Sequence, residues 1–319
     1  MISSSSFEWR EHLVLSRDLQ VAGERGEFFR RVRTGEFVAI YRGAYVRASE
    51  WEAMGRDARY LARIRAATAY AREPLIFSHE SAAALWRLPS VEPWPRRVHC
   101  LSQNSAGGRS NGMFVRHTVG VPDEVATVDG LAVTTMSRTV VDLAAASAFG
   151  QAVAMADAAL RRTAHPISGV PGTALGKDDL YAELELLPLR HGTARARRVI
   201  DFADGLADRP GESMSRVSMW IAQLPMPRLQ VRLAGASGRG YVVDFWWPEF
   251  NLMGEFDGRD KYSNPEFLRG RTPEQALHDE KLREDDLRAL DGRRMSRWSW
   301  QIALSPARMR AHLLAAGLH

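Results

Sequence analysis

Apolar positions recur along this chain with two periods, and they divide it into segments. Phe37, Ala39 and Tyr41 interleave with Val38 and Ile40, and Arg42-Gly43 turns the chain into Ala44-Tyr45-Val46, so this stretch reads as a β-hairpin. Upstream, Leu13 to Leu15 closes a first helix. Ser16 caps a second helix that runs to about Ala22, with Gly23 as its C-cap. A third, from Glu24 to Arg33, ends at Thr34-Gly35. Helix, turn, basic helix and hairpin is the order of a winged helix-turn-helix, with Arg25, Arg30, Arg31, Arg33 and Arg42 as the candidate DNA-binding residues.

The middle of the chain mixes both periods. An arginine-rich helix is expected over residues 51–73, and Ser78 caps another that ends at Leu85. Residues 97–102 and 113–119 read as strands, and Asp129-Gly130 between two short apolar runs signals a hairpin. Helices with alanine-rich faces follow over 136–146 and 151–162, then a Pro/Gly-rich loop over 164–176. His79, His99 and His117 do not fall at metal-ligand spacings and read as ordinary core or surface histidines.

The last third carries the chemistry. A helix over 212–224 is expected to bury Met214, Val217, Ile221 and Leu224. A strand over 230–233 and a glycine-rich turn lead to two strong β runs, 241–247 and 252–257, separated by Pro248-Glu249-Phe250-Asn251. A hairpin centred between Glu249 and Phe250 sets Asp244 directly opposite Glu255, and alternation puts Asp257 on the face of Glu255. Three converging carboxylates need a compensating charge, which a hard divalent cation or arginine and lysine partners would supply. A helix over 275–290 brings Lys281 and Glu284 near each other.

Composition narrows the class. The 319 residues are 45% hydrophobic and 25% charged, as in globular chains, and the single Cys100 excludes an internal disulfide framework or a zinc site built on cysteine pairs. No uncharged run is long enough to span a bilayer and no signal peptide is evident, so a cytoplasmic protein without a membrane partner is expected. The net charge of +5 permits nucleic-acid binding. Lysine stands only at Lys177, Lys261 and Lys281, so arginine supplies nearly all of the 43 basic side chains.

Asp244 followed by Glu255-x-Asp257, after a helix carrying Glu212, resembles the P-D-(D/E)-x-K nuclease core of very-short-patch-repair-like endonuclease domains. Val243-Asp244-Phe245, Gly254-Glu255-Phe256-Asp257-Gly258, Glu280-Lys281-Leu282-Arg283-Glu284 and Arg297-Trp298-Ser299-Trp300 are similar to the C-terminal domain of a group of actinobacterial proteins. Arg42-Gly43-Ala44-Tyr45, Ser78-His79-Glu80-Ser81-Ala82-Ala83 and Ser137-Arg138-Thr139-Val140-Val141-Asp142-Leu143 resemble AbiEi-type antitoxins of type IV toxin–antitoxin systems. The resemblance implies a multi-domain α+β and α/β chain: a winged helix-turn-helix over 1–50, a mixed α/β domain over 51–165, a linker with helices over 166–210, and a restriction-endonuclease-like domain over 211–319. It implies DNA as partner, with a toxin protein as a further one. It also implies Mg²⁺ or Mn²⁺ held by Asp244, Glu255 and Asp257, with Glu212 completing the metal shell or positioning water. The motif's lysine position is occupied by Asp257, which leaves Lys261 and Lys281 as candidate catalytic cations and leaves open an inactive domain in a regulator of the antitoxin type.

Overall fold

The computed structural model describes residues 12–20, 24–71, 73–102, 112–118, 120, 122–162, 165–167, 170–172, 174–187, 192–258, 272–290 and 292–319. It forms two compact units, one from residues 1–147 and 162–201, the other from 148–161 and 202–319. The division differs from the four consecutive segments expected from sequence, because one alanine-rich helix of the middle segment belongs to the C-terminal unit. Among the described residues no helix is long and apolar enough to cross a membrane.

The first unit opens with β1 (Val14–Leu15), α1 (Arg25–Arg33), β2 (Phe37–Tyr41) and β3 (Ala44–Arg47), in a sheet of order β1-β3-β2. Val14–Leu15 is thus strand rather than the end of a helix, because β1 pairs with β3 and Ser16 N–H donates to Gly43 O at 2.8 Å. Of the helix expected after Ser16, the described residues show a 3-10 turn at Asp18–Gln20, and the rest lies outside them. Helix α1 buries Phe28 against Phe37 and Tyr45, and its last turn gathers Arg30, Arg31 and Arg33 at the negative end of its dipole. Gly43 has φ +84°, and a Cβ there would collide with Tyr70, whose hydroxyl donates to Gly43 O.

The helix expected over 51–73 is broken into α2 (Ala48–Ala53) and α3 (Arg56–Tyr70), since Met54 and Gly55 are extended. Next come α4 (His79–Leu85), β4 (Val98–Leu101) parallel to β5 (Phe114–His117), and a hairpin of β6 (Val125–Val128) and β7 (Leu131–Thr134) turned by left-handed Asp129 and Gly130. Phe77 bridges Cys100 on one pair and Val133 on the other, joining them beneath α4. Helices α5 (Met136–Ala146), α6 (Phe149–Arg161), α7 (Lys177–Leu186) and α8 (Thr193–Phe202) follow. The three histidines meet: the His79 ring stacks on His117 at 3.5 Å, His117 Nε2 lies 3.1 Å from His99 Nδ1, and His99 Nδ1 lies 2.7 Å from Glu80. Sequence spacing separates them because β4 and β5 pair across a long connection.

The second unit contains α6, α9 (Pro210–Ile221), β8 (Arg228–Ala234), β9 (Gly240–Trp247), β10 (Leu252–Phe256), α10 (Pro273–Arg288), β11 (Arg294–Trp298), α11 (Trp300–Ala303) and α12 (Pro306–Ala315). Strands β8, β9 and β10 form an antiparallel meander, and β11 returns after α10 to lie parallel to β10. One core cluster joins Phe245, Trp247, Leu252, Phe256 and Trp298 to Met219 and Leu313, and another joins Val243 and Met253 to Leu287 of α10. Leu229 and Phe245 belong to the first, Val231 and Val243 pack in the second, so the β8–β9 ladder changes face at Gln230 and Asp244. Gln230 has φ +49°, a left-handed conformation that makes this change.

Helix α9 buries part of the expected face, Val217 and, just past its end, Leu224, but turns a polar face inward beside it. Ile221 is 52% exposed, while Glu212, Ser213, Ser215, Arg216 and Ser218 are buried. Their polar atoms are satisfied: Trp298 Nε1 donates to Ser215 Oγ at 2.7 Å, Ser218 donates to Ala303 O at 2.6 Å, and Arg216 Nη1 reaches Asp157 Oδ2 of α6 at 2.9 Å. Replacing Asp157 by Ala leaves the Arg216 guanidinium buried without its counter-charge. That change is expected to cost about 3–5 kcal/mol of stability, read as a lowered urea midpoint for the full chain.

Candidate active site

The first turn of α9 starts at Pro210, and Glu212 follows beside the helix's positive end. The carboxylate is only 2% exposed. Its Oε2 accepts from Asp208 N–H at 2.9 Å and from Gln230 Nε2 at 3.0 Å. The same amide nitrogen reaches Asp244 Oδ1 at 3.4 Å, and Asp244 Oδ2 accepts from Phe256 N–H at 3.0 Å. Gln230 therefore bridges two carboxylates. Burial, and after it the charge of Asp244, pushes Glu212 up to about 8, well above an ordinary carboxylate.

Glu255 is buried to the same degree but has a different environment. Arg283 Nη2 lies 2.7 Å from one of its oxygens and Arg297 Nη2 lies 3.1 Å from the other. Arg297 stands next to it across the parallel pair of β10 and β11, and also engages Glu280 and Glu284, while Arg288 pairs with Glu284 at 2.8 Å. Burial opposes the charge on Arg297, but the three carboxylates outweigh it and raise its pKa.

The hairpin has the expected register, with Leu252 opposite Trp247, Met253 opposite Trp246 and Gly254 opposite Phe245. The expected convergence of three carboxylates does not occur. Ladder pairing stops short of Asp244 and Glu255, and the change of face at Gln230 turns Asp244 toward Glu212 while Glu255 meets the arginines of α10 and β11. Asp257 lies just past β10: its N–H donates to Trp298 O at 2.8 Å, and its buried Oδ1 has no hydrogen bond among the described residues. Lys281 is exposed on α10, and Lys261 lies outside the described residues. Three partners escaped sequence reasoning: Gln230, Arg283 and Arg297. The signal for two of them was a glutamate in an otherwise apolar strand, which calls for a buried cation.

Among the described residues no three His, Cys, Asp or Glu side chains stand in metal-holding geometry. Glu212 and Asp244 nevertheless fit a hard divalent cation with water as its remaining ligands, because a buried carboxylate and a half-buried one this close repel each other and the Gln230 amide that joins them is neutral. Glu255, held by two guanidinium groups, is not free to join them in this state.

In the N-terminal module, Arg30 pairs with Glu27 at 2.5 Å, Arg31 pairs with Glu36, and Arg25 lies over the Phe29 ring at 5.7 Å. Arg33 and Arg42 are exposed, with no ion pair among the described residues.

No family model matches the chain. It is similar to uncharacterized proteins of two strains of Mycobacterium tuberculosis, CDC 1551 / Oshkosh and ATCC 25618 / H37Rv. Each is 28% identical over 243 residues, which cover 76% of this chain and 82% of the relative.

The raised Glu212 gives a signed pH dependence. The folded chain holds a proton that the unfolded chain releases above about 4.5, so stability is expected to fall as pH rises from about 4.5 through about 8. Unfolding free energies from urea titrations across this window should decline by an amount on the order of a few kcal/mol in the native chain. Glu212→Gln should remove most of that decline.

Proposed function

We propose that the chain binds DNA and that its C-terminal unit hydrolyses phosphodiester bonds with Mg²⁺ or Mn²⁺. The observation that carries this reading is the Glu212–Gln230–Asp244 bridge, in which buried Glu212 lies beside a second carboxylate, and burial and that charge raise its pKa. The element order supports it: a helix bearing Glu212, a three-stranded meander with Asp244 and Glu255 on neighbouring strands, a helix, and a fourth strand parallel to the third. A central sheet flanked by helices is what the resemblance implies for a restriction-endonuclease-like domain.

Glu212 and Asp244 would hold the ion, and Glu212 would release its proton as the ion binds. Once bound, such an ion polarises the scissile phosphate and lowers the pKa of an attacking water. Phe256 N–H fixes Asp244 and the N–H of Asp208 fixes Glu212, so neither carboxylate has to be ordered when substrate arrives. The order β1-β3-β2 with α1 before the hairpin supports a winged helix, in which Arg33 and Arg42 are the arginines best free to meet phosphate.

A second reading is favoured by the two arginines that lie against Glu255 and offset its charge. In it the C-terminal unit is an inactive nuclease-like scaffold in a DNA-binding regulator of the antitoxin type, with a toxin protein as partner. Incubation with supercoiled, linear and single-stranded DNA in Mg²⁺, Mn²⁺ or EDTA separates the two. The nuclease reading expects metal-dependent cleavage that Asp244→Asn lowers by at least about 100-fold. DNA binding with no cleavage of any substrate selects the regulator. In either case, Arg33→Ala and Arg42→Ala should each weaken DNA binding and reduce the salt dependence of log K by about 1.

A further inference from the structure

A cavity of about 330 Å³ lies where the last turn of α10, the start of β11 and the end of α12 meet. One wall carries three guanidinium groups, those of Arg288, Arg293 and Arg294, and none of the described lining residues is acidic. The other wall is apolar, made by Leu252, Met295 and the end of α12 at Ala315. Leu252 stands opposite Arg294 in the β10–β11 ladder, so the end of the sheet fixes both walls together.

Backbone carbonyls orient the three arginines. Arg293 Nη1 donates to Ala234 O at 2.6 Å, Arg294 Nη2 to Phe250 O at 2.8 Å, and Arg288 Nη2 to Met295 O at 3.3 Å. A carbonyl is neutral, so such bonds position a cation without discharging it. Arg294 meets only carbonyls among the described residues, and Arg288, 49% exposed, shares Glu284 with Arg297. A Cβ at Gly317 would collide with the Arg294 guanidinium, so its approach to the end of α12 requires glycine there.

We infer that this cavity seats the phosphate of a nucleotide, with its sugar or base against the apolar wall. The inference does not rest on the metal site of Glu212 and Asp244. A guanidinium fork matches two phosphate oxygens and holds its charge at any physiological pH. The space is larger than a bare phosphate fills and falls at the lower end of small-ligand cavities, about 300–1,000 Å³. A free nucleotide and the phosphorylated end of a nucleic-acid strand offer the same chemistry.

The test is isothermal titration calorimetry of the full chain in EDTA at low salt. The probes are deoxyadenosine 5′-monophosphate, deoxyadenosine, inorganic phosphate, and a short single strand with or without a 5′-phosphate. The monophosphate should bind at least about ten-fold tighter than either the nucleoside or inorganic phosphate. Ala315 is exposed, so Ala315→Glu sets a carboxylate on the cavity wall while keeping every arginine and its hydrogen bonds. It should weaken the monophosphate at least about ten-fold, whereas Ala315→Gln, of the same size, should cost less than about three-fold. Both variants should keep the native urea midpoint. Equal affinity for the monophosphate and the phosphorylated strand assigns the site to free nucleotides. A phosphorylated strand at least about ten-fold tighter than the monophosphate and the unphosphorylated strand, with that excess lost in Ala315→Glu, assigns it to strand ends. Inorganic phosphate binding as tightly as the monophosphate overturns the nucleotide assignment. Failure of every phosphate-bearing probe, or binding indifferent to Ala315→Glu, overturns the site and leaves the arginines as caps on the helix ends.

Discussion

The second unit depends on where one guanidinium goes. Glu212 and Arg216 stand four residues apart on α9, the spacing at which a glutamate and an arginine ordinarily pair along a helix. Arg216 instead reaches Asp157 of α6 at 2.9 Å, donates to Phe202 O at 2.8 Å and lies 4.7 Å from the Phe202 ring centre. The pairing anchors α9 to α6 within the unit and lets the helix turn a polar face inward. Burial still outweighs the attraction of Arg216 and pushes Asp157 up to about 6, so the pair is ionised at neutral pH and loses that charge in mild acid. Glu212, deprived of its helical neighbour, is left among amide donors and beside another carboxylate.

Two glutamates of equal burial carry the consequence of that choice. Among the described residues Glu255 has two guanidinium groups and Glu212 has none, although each is 2% exposed. A buried carboxylate with cations at hand stays ionised. One that has only N–H donors and a like charge for company takes up a proton or a metal ion. The difference is spatial rather than chemical, since α9 packs on the core cluster of Phe256 and Trp298 while α10 closes over the cluster of Val243 and Met253. Carboxylates that belong to one motif can thus face different neighbours, and the motif spacing alone does not assign their roles.

What could be read from the sequence was local. The register of β9 against β10 comes from a short connection, closed by left-handed Asn251, between two unmistakable β runs, and Asp129-Gly130 marks the other hairpin equally well. The buried face of α9 was only partly legible: Val217 and Leu224 turn inward as apolar periodicity expects, but serines share the interior, Ser215 and Ser218 with partners supplied by distant segments. Arg297 lies beside Glu255 only because β11 returns parallel to β10 after a long crossover, a pairing that no local pattern announces. The same holds for the histidines of the first unit, which β4 and β5 bring together across a long connection.

Gln230 is where the local and the distant meet. A non-glycine residue in the left-handed region costs on the order of 1–3 kcal/mol and persists only where its surroundings impose it. Here the surroundings are explicit: Leu229 and Val231 must enter different cores, and the amide between them must face two carboxylates. An amide is the one uncharged side chain that can donate to both carboxylates and still present an oxygen to a cation. Alanine would relieve neither the like-charge repulsion nor the lost hydrogen bonds, and lysine would neutralise the pair permanently. The strained glutamine holds a buried acid and a half-buried one together through hydrogen bonds without itself adding a charge, which is the condition a reversible cation site requires.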